Sequence, residues 1–159
     1  METPGTSQGG ATMIDERSAK NIATLKPEVQ PLATRLVEIA QARGINARVI
    51  SGHRSYDEQN ELYAQGRSKP GQIVTKAKGG QSWHNFGLAF EIGIFSPDSK
   101  TYYGESASYA EVGKIGEAIG LEWGGNWEFV DEPHFQFNPQ RYSLAQMREK
   151  TEEGKSLFT

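Results

Sequence analysis

Two histidines and one carboxylate stand where a hydrolytic metal site could form. His84 lies just ahead of an apolar run within Gly79–Phe95 that carries a single acid, Glu91. Strand alternation sends Leu88, Phe90, Ile92 and Ile94 to one face, and Gly87, Ala89, Glu91 and Gly93 to the other. In Asp131–Phe137 the same period points Phe135 and Phe137 one way, His134 and Gln136 the other. Zinc in a hydrolytic site takes three protein ligands and keeps a fourth position for water. His84, Glu91 and His134 supply such a set, and with no cysteine in the chain a metal must rely on imidazole and carboxylate. Asp131, joined to His134 through the stiff Pro133, could take a proton from the attacking water and deliver it to a leaving amine. Arg54, just past a strand end, could steady the charge that develops on a carbonyl oxygen. These are the parts of metal-assisted amide hydrolysis.

Each part also has a plainer reading. His84 could cap a turn, and His134 could be a partly buried strand histidine. Glu91 could face water from one side of an antiparallel sheet. Asp131 could simply shape the turn before Pro133, and Arg54 could be a surface ion-pair residue. Trp83, Trp123 and Trp127 are more often core than the walls of a binding site.

The elements that must position these residues are legible by period and punctuation. Residues 15–25 read as a short helix. Residues 28–43 read as a stronger one, with Val29, Leu32, Ala33, Leu36, Val37 and Ala40 at helical spacing and Gly44 as the stop. Pro31 is tolerable there only in the first turn. Residues 46–50 form a strand by their Val/Ile content. Ser55, with Glu58 three residues on, caps a helix over 56–65. Residues 67–81, with three lysines, read as a surface loop over the cleft. A turn at 96–99 leads to a short returning strand at 101–103. Ser106 or Ser108 starts a helix ending at Ile119. Short strands at 121–123 and 134–137 flank a turn-rich Gly124-Gly125-Asn126, and 143–153 forms a last helix. Strands and helices mix without βαβ regularity, which indicates an α+β fold: a small antiparallel sheet flanked by helices, with the site in a cleft on the sheet.

The totals narrow the function further. The 159 residues suit one domain, expected over 14–159, with residues 1–13 as a disordered polar extension. A net charge of −3 without basic runs argues against nucleic acid as a partner. No apolar run approaches the roughly 20 residues that span a bilayer, and the N-terminus lacks the features of a secretory signal. A monomer made in the cytoplasm is expected, since no surplus apolar face is evident.

Taken together, SGHRSYDEQNELYAQGR, KGGQSWHNFGLAFEIGIF, WGGNW and DEPHFQF resemble the zinc peptidases of the D-alanyl-D-alanine carboxypeptidase group. That group includes vancomycin-resistance D,D-dipeptidases and L-alanyl-D-glutamate endopeptidases; the latter, phage endolysins and related wall hydrolases, are the more similar. The resemblance covers residues 15–140 and follows the signature S-G-x-R-S, H-x6-D, D/E-x-x-H. It implies His84 and His134 as zinc ligands, Asp131 as general base and Arg54 as the arginine that steadies the substrate carbonyl. It implies peptidoglycan stem peptide as the substrate, cut between L-alanine and D-glutamate, with D,D-carboxypeptidase or dipeptidase action as the alternative. It also implies a protein made without a signal peptide that acts on the cell wall. One position departs: the family has aspartate where this chain has Glu91. The carboxylate then sits one methylene, about 1.5 Å, further from the backbone, which leaves open an impaired enzyme that still binds wall fragments.

Overall fold

The computed structural model describes residues 14–159; the extension expected over 1–13 lies outside them. Five helices occur among these residues: α1 Glu16–Ala23, α2 Gln30–Ala42, α3 Tyr56–Ala64, α4 Ser108–Ala118 and α5 Leu144–Glu152. The strands are β1 Asn46–Ser51, β2 Ala89–Phe95, β3 Tyr102–Tyr103, β4 Glu122–Trp123 and β5 His134–Gln136. The expected helices and strands are all present, with ends shifted by at most two residues.

Every pairing in the sheet is antiparallel, and β2 is its hub. β1 covers one edge of β2. The other edge is shared by β5, which pairs Ala89–Glu91, and β3, which pairs Ile94 and Phe95. β4 adds outside β5. Leu88, Phe90, Ile92 and Ile94 point into one core with Phe135, as alternation predicts. Leu36 and Val37 of α2, Val112 and Ile115 of α4 and Ile22 of α1 close that core. Each such side chain contributes about 1.5–3 kcal/mol when fully buried. Helix α4 approaches the sheet because Gly113 and Gly116 lack side chains: a Cβ there would run into the rings of Trp123 and Phe135.

Local signals explain the element starts. Ser55 Oγ accepts from the Glu58 N–H while the Glu58 side chain accepts from the Ser55 N–H, the reciprocal cap that the sequence predicts. Pro31 falls within the first turn of α2. Helix α4 starts at Ser108, one of the two expected starts. Its N-cap is Ala107, without a side-chain cap, and Ser106 Oγ, one residue earlier, accepts from the Ser108 N–H.

The second face of the sheet is not open to water. Ala89, His134 and Gln136 on it are buried, because residues 74–83 and Trp127 fold over it and make it the floor of a cleft. The stretch before β2 is likewise not a plain loop. Trp83–Phe86 forms a 3₁₀ turn, ended by Gly87 in the left-handed region at φ 73°.

Tyr109 of α4 ties the hub to its neighbours. Its hydroxyl accepts from the Ile94 N–H at 3.2 Å and donates to the Tyr103 carbonyl at 2.6 Å. Burial pushes its phenol up to about 12, against about 10 in an unfolded chain. A raised folded-state pKa gives stability that is complete below about pH 10 and is lost as pH rises through the folded value. Tyr109→Phe is expected to destabilise the fold by about 1–3 kcal/mol at pH 8, by stranding the Ile94 N–H. In urea titrations from pH 8 to 12, the variant should lose less stability than the parent; parallel curves would refute the role of this hydroxyl.

Candidate active site

His84 sits in the 3₁₀ turn, whose start is fixed by Ser82 and Asn85. Its Nδ1 lies 2.9 Å from the Gly52 carbonyl. A carbonyl only accepts, so the ring proton is on Nδ1 and Nε2 keeps a bare lone pair. That Nε2 is buried without a hydrogen-bond partner and lies 3.9 Å from Glu91 Oε2. Glu91 is held by the sheet on both sides, opposite Ser51 of β1 and His134 of β5. His134 Nε2 lies 2.7 Å from Gln136 Oε1. The same logic puts its proton on Nε2 and leaves the Nδ1 lone pair, 3.8 Å from Asp131 Oδ2. One donor atom from each of His84, Glu91 and His134 falls within 4.8 Å of the others. Bonds of about 2.0–2.2 Å at tetrahedral angles hold donors about 3.3–3.6 Å apart, so the set draws in by up to about 1.5 Å to hold one ion.

The charges in the site favour a cation. Burial, then Arg54 and His134, lowers His84 to about 3. Burial likewise lowers His134. Glu91 is raised, first by burial and then by the Asp131 carboxylate, with Arg54 opposing. Both imidazoles are thus neutral at pH 7, and the half-buried Glu91 carboxylate sits beside Asp131 with only Arg54 opposing. An orphaned buried lone pair aimed at that carboxylate fits a bound metal.

The two other expected residues reach the same cleft. Arg54 follows β1, and its N–H donates to the His84 carbonyl at 3.0 Å. Its Nη1 donates to Gln59 Oε1 at 3.1 Å. Gln59, fully buried on α3, passes its own amide to the Ala77 carbonyl at 2.9 Å. Asp131 stands at the mouth with its side chain 43% exposed. The 131–134 turn is closed by the His134 N–H donating to the Asp131 carbonyl at 3.1 Å.

Of the three tryptophans read as core, two line the cleft instead. Trp127 lies against His134 with ring centroids 4.8 Å apart, and Trp83 forms part of the same wall. Trp123, by contrast, is core, its Nε1 donating to the Glu132 carbonyl at 2.8 Å. Gln136 was recoverable from alternation, since it shares a face with His134; its hold on the ring was not. The loop expected over the cleft forms one wall through Val74, Thr75, Ala77 and Gln81. Val74 on the cleft wall is exposed, as are Phe129 and Val130 just before Asp131 in sequence, and Lys76 Nζ lies 5.8 Å from the Phe129 ring. The cleft measures about 260 Å³. A larger hollow of about 340 Å³ near Lys26, His53 and Thr151 shares none of these residues and holds no buried carboxylate.

A family model described as D-alanyl-D-alanine carboxypeptidase matches residues 75–137, the segment that carries His84, Glu91, Asp131 and His134. The chain is 40% identical over 124 residues to the peptidoglycan L-alanyl-D-glutamate endopeptidase CwlK of Bacillus subtilis (strain 168), covering 72% of this chain and 74% of that protein. It is 27% identical over 131 residues to the L-alanyl-D-glutamate peptidase of Listeria phage A118, covering 79% of this chain and 42% of that one. The fold is similar to that of the Serratia marcescens L-Ala D-Glu endopeptidase ChiX, with a TM-score of 0.59, 23% identity and coverage of 82% and 94%. It is also similar to the vancomycin resistance D,D-pentapeptidase VanY in complex with Zn(II), with a TM-score of 0.54, 16% identity and coverage of 84% and 81%.

Asn85 holds the site's frame together. Its Oδ1 accepts from the Gly80 and Ser82 N–H groups at 3.0 and 3.1 Å, and its Nδ2 donates to the Arg54 carbonyl at 3.0 Å. Asn85→Ala is expected to lower stability by about 2–5 kcal/mol, since stranded buried groups cost about 1–3 kcal/mol each. Asn85→Asp keeps the acceptor half and should fall between the two. Denaturant titration checks this ordering, and an alanine variant as stable as the parent would refute it.

Proposed function

The chain belongs to the D-alanyl-D-alanine carboxypeptidase family of peptidases, and from that footing we propose a zinc-dependent endopeptidase that cuts the L-alanyl-D-glutamate bond of the peptidoglycan stem peptide. The observation that carries the reading is the bare, buried Nε2 of His84 aimed at Glu91, in one cleft with Asp131 and Arg54. The 40% identity to an endopeptidase of that specificity supports the choice of bond.

His84 through Nε2, His134 through Nδ1 and Glu91 through its carboxylate would hold the ion. Zinc, when bound, supplies a Lewis acid and lowers the pKa of water. The chain's own groups do the rest. Arg54, steadied by Gln59, donates to the scissile carbonyl oxygen and stabilises the negative charge that grows there. Asp131, at the mouth beside His134, takes the proton of the attacking water and passes it to the leaving nitrogen of D-glutamate. Trp83 and Trp127 wall the cleft and limit access of bulk water.

Glu91 in place of aspartate bears on rate more than on fold, because its backbone register is set by the sheet. Its carboxylate lies 3.9 Å from His84 Nε2, which supports Glu91 as a ligand despite the extra methylene. Among the described residues no helix is long and apolar enough to cross a membrane. The phage relative supports a lytic role at the wall; we propose that the protein acts as a monomer.

Purified wall and a synthetic stem peptide test this reading. The parent protein should bind one zinc per chain and release a new N-terminal D-glutamate; released D-alanine would indicate a carboxypeptidase or dipeptidase instead. Asp131→Asn should keep its zinc while kcat falls about 10²–10⁴-fold. Glu91→Ala should lose zinc at concentrations that saturate the parent. If only Glu91→Asp lyses wall and the parent merely binds it, the protein is a wall binder rather than an enzyme.

A further inference from the structure

We propose that the groove running from the cleft past Trp83 and Trp127 to Arg141 is a subsite for a substrate residue that carries both an ammonium and a carboxylate, read by Glu122 and Arg141. This rests on the endopeptidase reading and specifies what that enzyme recognises beyond the scissile bond.

The groove holds about 360 Å³ and is continuous with the cleft, since Trp83 and Trp127 line both. Its floor is Gln136, which already engages His134. Opposite Gln136 in the sheet stands Glu122, whose Oε1 lies 3.5 Å from the Gln136 amide. Arg141 closes the far side. The turn that presents it is built for that place. Asn138 Oδ1 accepts from the Tyr142 N–H at 3.1 Å, and its Nδ2 donates to the Tyr142 carbonyl at 2.9 Å. Between them Arg141 is held at φ 57°, where a non-glycine residue is strained.

Among the described residues the ion pairs of arginine and lysine lie elsewhere, at Arg48–Asp15, Lys69–Glu61 and Lys155–Glu153. An arginine and a glutamate therefore face one groove without pairing with each other. A ligand with both charges satisfies both, and the indoles cover the apolar carbons between. A carboxylate alone would meet Glu122, and an ammonium alone would meet Arg141.

Distance selects the part of the substrate. From His134 to Gln136 is two residues of strand, about 7 Å, and Arg141 lies beyond. The free carboxyl of D-glutamate sits two bonds from the scissile nitrogen, within about 4 Å by ordinary bond lengths, and is too close. The L-alanine side leads through neutral links to the sugar. The next stem residue, a diamino acid, extends far enough for its side-chain end to lie in this groove.

Three N-acetylated stem tripeptide amides, L-Ala-γ-D-Glu-X, separate the outcomes. X is meso-diaminopimelate with both distal groups free, lysine with the distal amine only, or 2-aminopimelate with the distal carboxylate only. The zinc-loaded parent should cut the first with kcat/KM at least about tenfold above either other, the scale of one charge-assisted contact. Arg141→Gly, which suits the left-handed backbone and so keeps the fold, should bring the first peptide down to the level of the lysine peptide. Glu122→Gln should bring it down to the level of the 2-aminopimelate peptide. Calorimetric binding of the same peptides to Asp131→Asn should give the same order. Equal kcat/KM for all three, or an Arg141→Gly loss shared equally among them, overturns the subsite while leaving the reaction intact. Ordered binding without cleavage by the parent overturns the reaction and leaves the subsite; neither binding nor cleavage overturns both.

Discussion

The site depends on one hydrogen bond, from His84 Nδ1 to the carbonyl of Gly52. That bond decides which nitrogen of the ring is bare, and it exists because the end of β1 cannot move. Gly52 is pressed against α1 so closely that a Cβ would meet Thr24 Oγ1 and the Asn21 carbonyl. Thr24 Oγ1 accepts from the His53 N–H at 2.9 Å, and Asn21 Nδ2 donates to the Val49 carbonyl at 2.9 Å. The helix end thus grips the strand end, and the strand end aims the imidazole. The Arg54 N–H returns the link by donating to the His84 carbonyl. A ligand and the proposed oxyanion group are therefore set by the same few residues of backbone.

Such a site stores free energy unfavourably in the protein alone. His84 Nε2 and Arg54 Nε are buried without partners, and each such group costs about 1–3 kcal/mol. Glu91 is raised and both histidines are lowered, each chiefly by burial, so every group in the set resists being charged. The core under β2 offsets this, with Leu88, Phe90 and Ile92 fully buried on the opposite face of the same strand. One strand thus carries the most stabilising face of the molecule and its most strained polar one. A one-residue slip of β2 would exchange the two faces, so the core that stabilises the fold also fixes the position of Glu91.

Much of this was legible in the chain, and the exceptions have physical causes. Alternation along 88–94 and 134–137 put the right residues on each face, because period two follows from backbone geometry alone. The Ser55–Glu58 cap was legible because both partners are local. The 3₁₀ turn at Trp83–Phe86 was not, since it depends on Asn85 reaching back to Gly80 and across to Arg54. The 67–81 segment was legible as a loop over the cleft, but what ties it down was not: Gln59 contacts Ala77 from α3. Trp127, read as core, and Arg141, which carried no mark, were misplaced or missed for a related reason. Their roles come from turns that place them beside a strand distant in sequence, and neither periodicity nor composition marks such a placement.

Glu91 shows how the two kinds of constraint divide. Its backbone is fixed by pairing to Ser51 and His134, which no change of side-chain length alters. The extra methylene must therefore be absorbed by rotation of the side chain within the cleft. The strand neighbours on its own face are Ala89 and Gly93, both small, so no bulky side chain on β2 blocks that rotation. The carboxylate consequently still comes within 3.9 Å of His84 Nε2. An added rotatable bond does, however, leave more side-chain freedom to be lost on binding an ion, and lost rotamer freedom opposes binding. In the proposed site, the departure from aspartate thus acts on how Glu91 would hold the metal rather than on the sheet register that positions it.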